Sequence, residues 1–284
     1  MQIITQKLIK QSLFHIKTKE IKQIIGRQRL KFNRQEISLY LLYIFKHSIG
    51  QKSFKSIYKR LKLKIAYQSF MSNIALFSSL FKRLFYIFNK INHIKASKLL
   101  NIIDSTIIPE KQTKFINQKD WNNNRVTTRA IEKEKIRTCG SKGLFLINRN
   151  KQIYHAELLN INESDQNYLK NPHNLTGKLR GILLADRGFS NKLVRDRLSH
   201  NKNDIFNQNK IICRLISPYH VKQKIKLTKK ESKLYKRRWK IETLFKVLKD
   251  NYSDNKLNLT GKYTNKLKQA KFYSTIIVHN LSTI

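Results

Sequence analysis

The sequence predicts an α/β protein: a mixed five-stranded sheet with flanking helices, preceded by an all-α segment. Three observations carry this. Residues 1–95 hold no proline, and their only glycines are Gly26 and Gly50, so little there interrupts a helix. From about residue 96, aliphatic runs of strand length alternate with helical patterns, as in layered α/β architectures. Apolar residues make up 40% of the 284, enough for a core in one or two domains and too many for a disordered tail. A boundary near residue 95 then separates a helical domain, 1–95, from an α/β domain, 96–284.

In the first segment, Asn33 can cap a helix whose apolar stripe runs through Ile37, Leu41, Ile44 and Phe45, and Gly50 can end it. Ser53 to Leu61 and Tyr67 to Asn89 give two further helical patterns. Ser53 to Phe70 has helix-turn-helix proportions, and its second helix would offer Tyr67, Gln68 and Ser72 to a major groove. The usual turn glycine is missing, and a plain helical bundle with solvated lysines is the competing reading. Leu99 to Ile108 is an aliphatic run broken by Asp104 and reads as a strand. Residues 110–141 are polar and show no clear period. Gly143 to Leu159 reads as two strands around an Asn148–Lys151 turn. Ser164 to Leu169 suggests a helix start. Gly181 to Asp186 is a buried strand ending in a turn, Asn191 to His200 a helix, and Lys210 to Ser217 a strand. Thr228 to Asp250 reads as one long helix and Thr264 to Leu281 as a closing one. A three-stranded meander followed by helix-linked parallel strands is the order of an RNase H-like domain.

The 59 Lys and Arg outnumber the 17 Asp and Glu, for a net charge of +42. Lysine supplies 43 of the cations, and with abundant Asn and Ile this resembles the bias of an AT-rich coding sequence. Part of the charge is therefore background. A folded chain this basic still binds polyanions by counterion release, and nucleic acid is expected ahead of an anionic membrane surface. Apolar runs such as Leu41 to Phe45 fall far short of the ~18 residues that span a bilayer, so no membrane partner is expected. Cys139 and Cys213 are the only cysteines, which leaves no disulfide framework or Cys-based zinc site. With no evident secretory signal, a cytoplasmic location is expected. His155, His173 and His220 are isolated and read as ordinary loop or surface histidines.

Acids are scarce, so their positions are informative. Asp104 follows Asn101-Ile-Ile, near the end of the first strand. Asp186 ends the Ile182-Leu-Leu-Ala run and precedes Arg187-Gly188. Glu242 lies in the helix that starts near Thr228. Neighbouring strands would bring the two aspartates to one end of the sheet, where open α/β sheets bind ligands. Three convergent carboxylates in a basic protein suit Mg²⁺, with Mn²⁺ able to substitute, and two such ions promote phosphodiester displacement. Each acid also has an ordinary alternative. Asp104 can cap a helix or form a turn, Asp186 can be a turn aspartate, and Glu242 can pair with Arg238 or Lys246 on a solvated face.

On a continuous helix at ~100° per residue, Tyr235, Arg238, Glu242 and Lys249 fall in one ~60° stripe. Ile241, Leu244 and Leu248 form an adjacent apolar face. A purely structural helix needs the second feature but not the first.

Asp104-Ser-Thr, Asp186-Arg-Gly-Phe-Ser-Asn and Tyr235-x₂-Arg238-x₃-Glu242-x₆-Lys249 resemble the DDE transposases of bacterial insertion sequences, the last motif matching their YREK signature at every spacing. The likeness spans about residues 99–281. It implies that Asp104, Asp186 and Glu242 form the catalytic, metal-binding triad, and that Tyr235, Arg238 and Lys249 contact DNA phosphates near the element's end. It further implies cleavage at terminal repeats of double-stranded DNA, attack of the freed 3′-hydroxyl on target DNA, repeat recognition by residues 1–95, a homodimer on DNA, and a nucleoid-associated protein. The short interval from Arg214 to Tyr235 leaves no room for the large β insertion of some relatives. Two rival readings are a stand-alone nuclease of the same fold and a catalytically inactive transposase that only binds DNA.

Overall fold

The computed structural model of the chain describes residues 55, 58–59, 66–111, 116, 126–131, 134–170, 180–189, 212–218, 226–253 and 264–284. The expected helices over 33–50 and 191–200, most of the helix-turn-helix segment before residue 66, Trp121, His173 and His220 lie outside these residues. The chain forms two compact units. One comprises Met1–Ile94, Pro109–Gln112 and Leu248–Ile284, and the other Lys95–Ile108 and Thr113–Val247. Among the described residues no helix is long and apolar enough to cross a membrane.

In the first unit, α1 (Tyr67–Leu76) and α2 (Ser78–Ile91) replace the single helix expected over 67–89. The break is Phe77, whose backbone leaves the helical region (φ −86°, ψ 2°) and whose side chain is fully buried. Its N–H still closes α1 onto the Asn73 carbonyl, and its carbonyl accepts from Leu80 N–H. Helix α2 buries Leu80, Phe81, Leu84, Phe85 and Phe88, a stripe of period near 3.6. The closing helix, numbered α6 in chain order (Thr264–Ser282), packs against both. Tyr273 meets Phe85 at 5.8 Å between ring centroids, and Asn280 Nδ2 donates to Asn89 Oδ1 at 3.0 Å in a buried position. The last helix of the segment read as α/β therefore falls in the same compact unit as α1 and α2. In α1, Gln68 is exposed, and Tyr67 packs on Tyr58 and Phe70.

The second unit is built on a mixed sheet of six strands. These are β1 (Leu100–Lys111), β2 (Val126–Ile131), β3 (Glu134–Asn148), β4 (Ile153–Asn160), β5 (Arg180–Ala185) and β6 (Ile212–Ile216). The order is β2-β3-β1-β5-β6, with β4 also paired to β3. Pairs β2–β3 and β3–β4 are antiparallel, and β1–β5 and β5–β6 are parallel. Five strands are the expected ones, in an RNase H-like arrangement. The sixth, β2, comes from the polar stretch without a period and pairs with an early extension of β3. Its run Val-Thr-Thr-Arg-Ala-Ile carries no strict alternation, so pairing with β3 decides it.

Local chemistry sets the strand boundaries. Asn101 holds the entry to β1 by exchanging hydrogen bonds with the Ser97 backbone, each 2.8 Å. The β3–β4 turn is closed by Asn148, whose Oδ1 accepts from the Asn150 and Gln152 N–H groups, with Lys151 at φ 64°. Gly181 opens the parallel pairing of β5 with β1. It sits at φ +65°, and a Cβ there would lie 2.2 Å from the Lys98 carbonyl oxygen, so only glycine permits the approach. Leu183, Leu184 and Ala185 are all buried, as in a strand covered on both faces. After β4 comes the short helix α3 (Asp165–Lys170).

The long helix expected over 228–250 is two helices joined by a 3₁₀ turn: α4 (Lys229–Tyr235), Lys236–Arg238, and α5 (Trp239–Ser253). Thr228 starts α4 with a capping box. Its side chain accepts from Glu231 N–H, and the Glu231 carboxylate accepts from Thr228 N–H. Ile241, Leu244 and Leu248 are buried, as the apolar face predicts, and Phe245 packs on Phe145 of β3 at 5.5 Å.

Candidate active site

Register places the two aspartates together. Parallel pairing of β1 with β5 runs from Leu100↔Ile182 to Ile103↔Ala185. Asp104 and Asp186 are the next residue on each strand, and neighbouring strands lie about 4.8 Å apart. Only β5 ends there. Strand β1 continues to Lys111, so Asp104 lies inside its strand rather than at its end.

Asp186 sits at the mouth of a tight turn. Its Oδ1 accepts from Arg187 N–H at 2.7 Å, and its carbonyl accepts from Phe189 N–H (3.1 Å) and Ser217 Oγ (2.9 Å). Phe189 is fully buried and anchors the turn, while the Asp186 side chain stays exposed. Arg187 thus helps order this turn through its backbone.

The 3₁₀ turn decides what Tyr235 and Arg238 do. At three residues per turn, positions i and i+3 eclipse. The two side chains therefore project together, rather than 60° apart as on a continuous α-helix. The Arg238 guanidinium carbon lies 5.9 Å from the centroid of the Tyr235 ring. Arg238 donates to Asp104 Oδ2 at 2.6 Å and to Glu242 Oε1 at 2.5 Å. Tyr235 Oη donates to Asp186 Oδ1 at 3.5 Å. Tyr235, Arg238 and Glu242 thus join Asp104 and Asp186 in one contact network. Lys249 lies within the span of α5, and its side chain is outside the described residues.

Burial separates the two ion pairs. The Asp104 and Arg238 side chains are 13% and 18% exposed, whereas Glu242 is 55% exposed. Desolvation pushes the Asp104 carboxyl up to about 6, against the pull of Arg238 and of Ser105 N–H, with Asp186 and Asp165 adding repulsion. Burial works against the Arg238 charge, but Asp104, Tyr235, Asp186 and Glu242 outweigh it and hold the guanidinium more firmly protonated than usual. Burial also raises the Tyr235 phenol, opposed by Arg238 and reinforced by the two aspartates.

The donor chemistry fits a hard divalent cation, since all three triad candidates offer carboxylate oxygens. In this arrangement Arg238 itself supplies the positive charge between Asp104 and Glu242. Among the described residues no group of three or more His, Cys, Asp or Glu side chains is placed so as to hold a metal ion.

Sequence reading gave no role to Asp165 or Ser105. Asp165, in the first turn of α3, accepts from Ser105 Oγ and pairs with the nearly buried Lys142. The available signal was a rare acid after Ser164, which reads equally well as the start of a helix. Trp239, beside Arg238, was also missed. It is 53% exposed, with the Lys151 ammonium 5.2 Å from its ring. His155 corrects an expectation: it is buried in β4 rather than in a loop or at the surface, with its ring nitrogen hydrogen-bonded to Tyr168 Oη. Cys139 and Cys213 are both buried.

Among curated proteins, none matches this sequence. Among solved structures, the chain is similar to piggyBac transposase, seen by cryo-EM in a synaptic complex with hairpin DNA, with 11% identity and a TM-score of 0.47 over 99% of this chain and 75% of that one. Residues 95–281 match the family described as the transposase DDE domain, well over half of the chain, and the protein belongs to that family.

Proposed function

We propose that this chain is an insertion-sequence transposase of the YREK subgroup, cutting DNA at the ends of its element and joining the freed 3′-hydroxyl to target DNA. The observation that carries the reading is the register of β1 and β5, which sets Asp104 beside Asp186, with Arg238 tying Asp104 to Glu242. Asp104, Asp186 and Glu242 would hold Mg²⁺ or Mn²⁺, which when bound supplies Lewis-acid activation of the attacking and leaving oxygens. Tyr235, Arg238 and Lys249 would contact phosphates of the element's end. Arg238 then serves two partners in turn: the carboxylates in the DNA-free chain, and a phosphate that competes for its guanidinium. The excess of cations would hold DNA around this acidic site. Residues 1–95 would recognise the terminal repeats, and two copies would pair the two ends at the host nucleoid.

The test is to incubate the full chain with a plasmid carrying its gene and flanks, with Mg²⁺ or Mn²⁺, and to map the breaks. Metal-dependent breaks at discrete repeat boundaries, absent with Asp186→Asn, are expected. Scattered breaks would identify a nuclease. Specific binding without breaks would identify an inactive DNA-binding relative. Equal cleavage by wild type and Asp186→Asn would overturn the assignment of Asp186.

A further inference from the structure

One acid beside the candidate triad has no role in the family signature. Asp165 Oδ1 accepts from Ser105 Oγ at 2.8 Å and from Lys142 Nζ at 3.1 Å. Lys142 also donates to the Glu163 carbonyl. Only 10% of the Lys142 side chain is exposed, and lysine is rarely so buried unless its charge is paired. Ser105 connects this pair to the site. While its hydroxyl is held by Asp165, its backbone N–H donates to Asp104 Oδ1 at 2.8 Å. The other oxygen of Asp104, Oδ2, is the one that meets Arg238. Asp165 also lies beside the second aspartate's turn. A Cβ placed on Gly188, two residues beyond Asp186, would sit 3.5 Å from Asp165 Oδ2.

We propose that Asp165, clamped by Lys142, is a positioning residue that acts through Ser105 to fix the orientation of Asp104 and present its Oδ2 to a divalent cation. The proposal rests on the reading of Asp104 as a metal-holding carboxylate. Its physical basis is division of labour between the two oxygens. With Oδ1 engaged by Ser105 N–H, the carboxylate cannot turn freely, and Oδ2 faces the site. Ser105 keeps that N–H in place because its own side chain is tied to Asp165. The Lys142 ammonium holds Asp165 still and offsets its repulsion of Asp104. Partners that orient metal-holding side chains in this way typically contribute 10–100-fold to metal affinity.

The experiment is titration of Mn²⁺ into the full-length chain without DNA, followed by calorimetry, with melting in chelator as the measure of folding. Asp165→Ala alone strands the Lys142 charge and endangers the fold, so the decisive variant is Asp165→Ala with Lys142→Met. The double variant is expected to melt near wild type in chelator yet bind Mn²⁺ about 10–100-fold more weakly. Lys142→Arg, which keeps the ion pair, is expected to retain wild-type affinity. Wild-type affinity in the double variant would overturn the proposal, as would a loss in Lys142→Arg equal to that of the double variant. Asp104→Asn separates this from the underlying reading. If that variant binds Mn²⁺ as tightly as wild type, Asp104 is not a metal-holding residue, and the proposal falls with it.

Discussion

Arg238 touches two candidate catalytic carboxylates, and Arg238→Met removes its charge while keeping much of its bulk. Removing one partner of a fully buried ion pair costs about 3–5 kcal/mol, because the other charge is left without compensation. An exposed pair is worth only ~0.2–1 kcal/mol. The pair with Asp104 lies near the buried limit and the pair with Glu242 near the exposed one. We therefore expect a loss of about 2–4 kcal/mol at pH 8, where Asp104 is ionised. In the folded chain Asp104 takes up its proton near pH 6, whereas an unfolded aspartate does so near 4. Between these values folding binds a proton, so this group adds stability as the pH falls through 6 and removes it as the pH rises. Without Arg238 the Asp104 carboxyl rises further, so proton uptake begins at higher pH and relieves the variant. At pH 5 the loss should shrink to about 1 kcal/mol, the remainder being the exposed Glu242 pair and lost packing. Urea midpoints of the full chain at pH 5 and pH 8, with chelator and constant salt, measure this directly. A loss equal at both pH values, or no loss at pH 8, would refute the assignment of Arg238 as the counter-ion of Asp104.

Other expectations test neighbouring links. Gly181→Ala forces a Cβ against the Lys98 carbonyl at φ +65° and should cost more than about 1 kcal/mol, read as a lower urea midpoint. An unchanged midpoint would mean that β1 and β5 do not pair as described. Thr228→Ala removes the capping box of α4 and should cost about 1 kcal/mol, whereas Thr228→Ser should lose far less. Lys249→Ala should weaken binding to element-end DNA and lower the slope of log affinity against log salt by about one contact. An unchanged slope would remove Lys249 from the DNA contacts.

The chemistry of the site was legible in the chain because it depends on residue type and spacing. A rare Asp within one aliphatic run and another at the end of a second, and a Tyr, Arg, Glu and Lys at helical intervals, are local patterns that survive without coordinates. The five expected strands were legible for the same reason: aliphatic runs bounded by turn residues such as Asn148 announce themselves. Strand β2 did not, because its polar residues become a strand only by pairing with β3, a tertiary contact. Phe77 likewise reads as an ordinary helical residue, and the chain breaks where that ring is buried. The contacts inside the site were also decided by tertiary structure. A 3₁₀ turn rather than continuous helix sets Tyr235 over Arg238, and parallel register sets Asp104 beside Asp186. Asp165 reaches Ser105 across 60 residues of chain, a contact that no spacing encodes. Sequence by itself determined which groups are available to do chemistry. Only the packed chain determined which carboxylate is desolvated, which cation neutralises it, and which residues hold it in place, because desolvation and hydrogen bonding depend on what lies nearby in space.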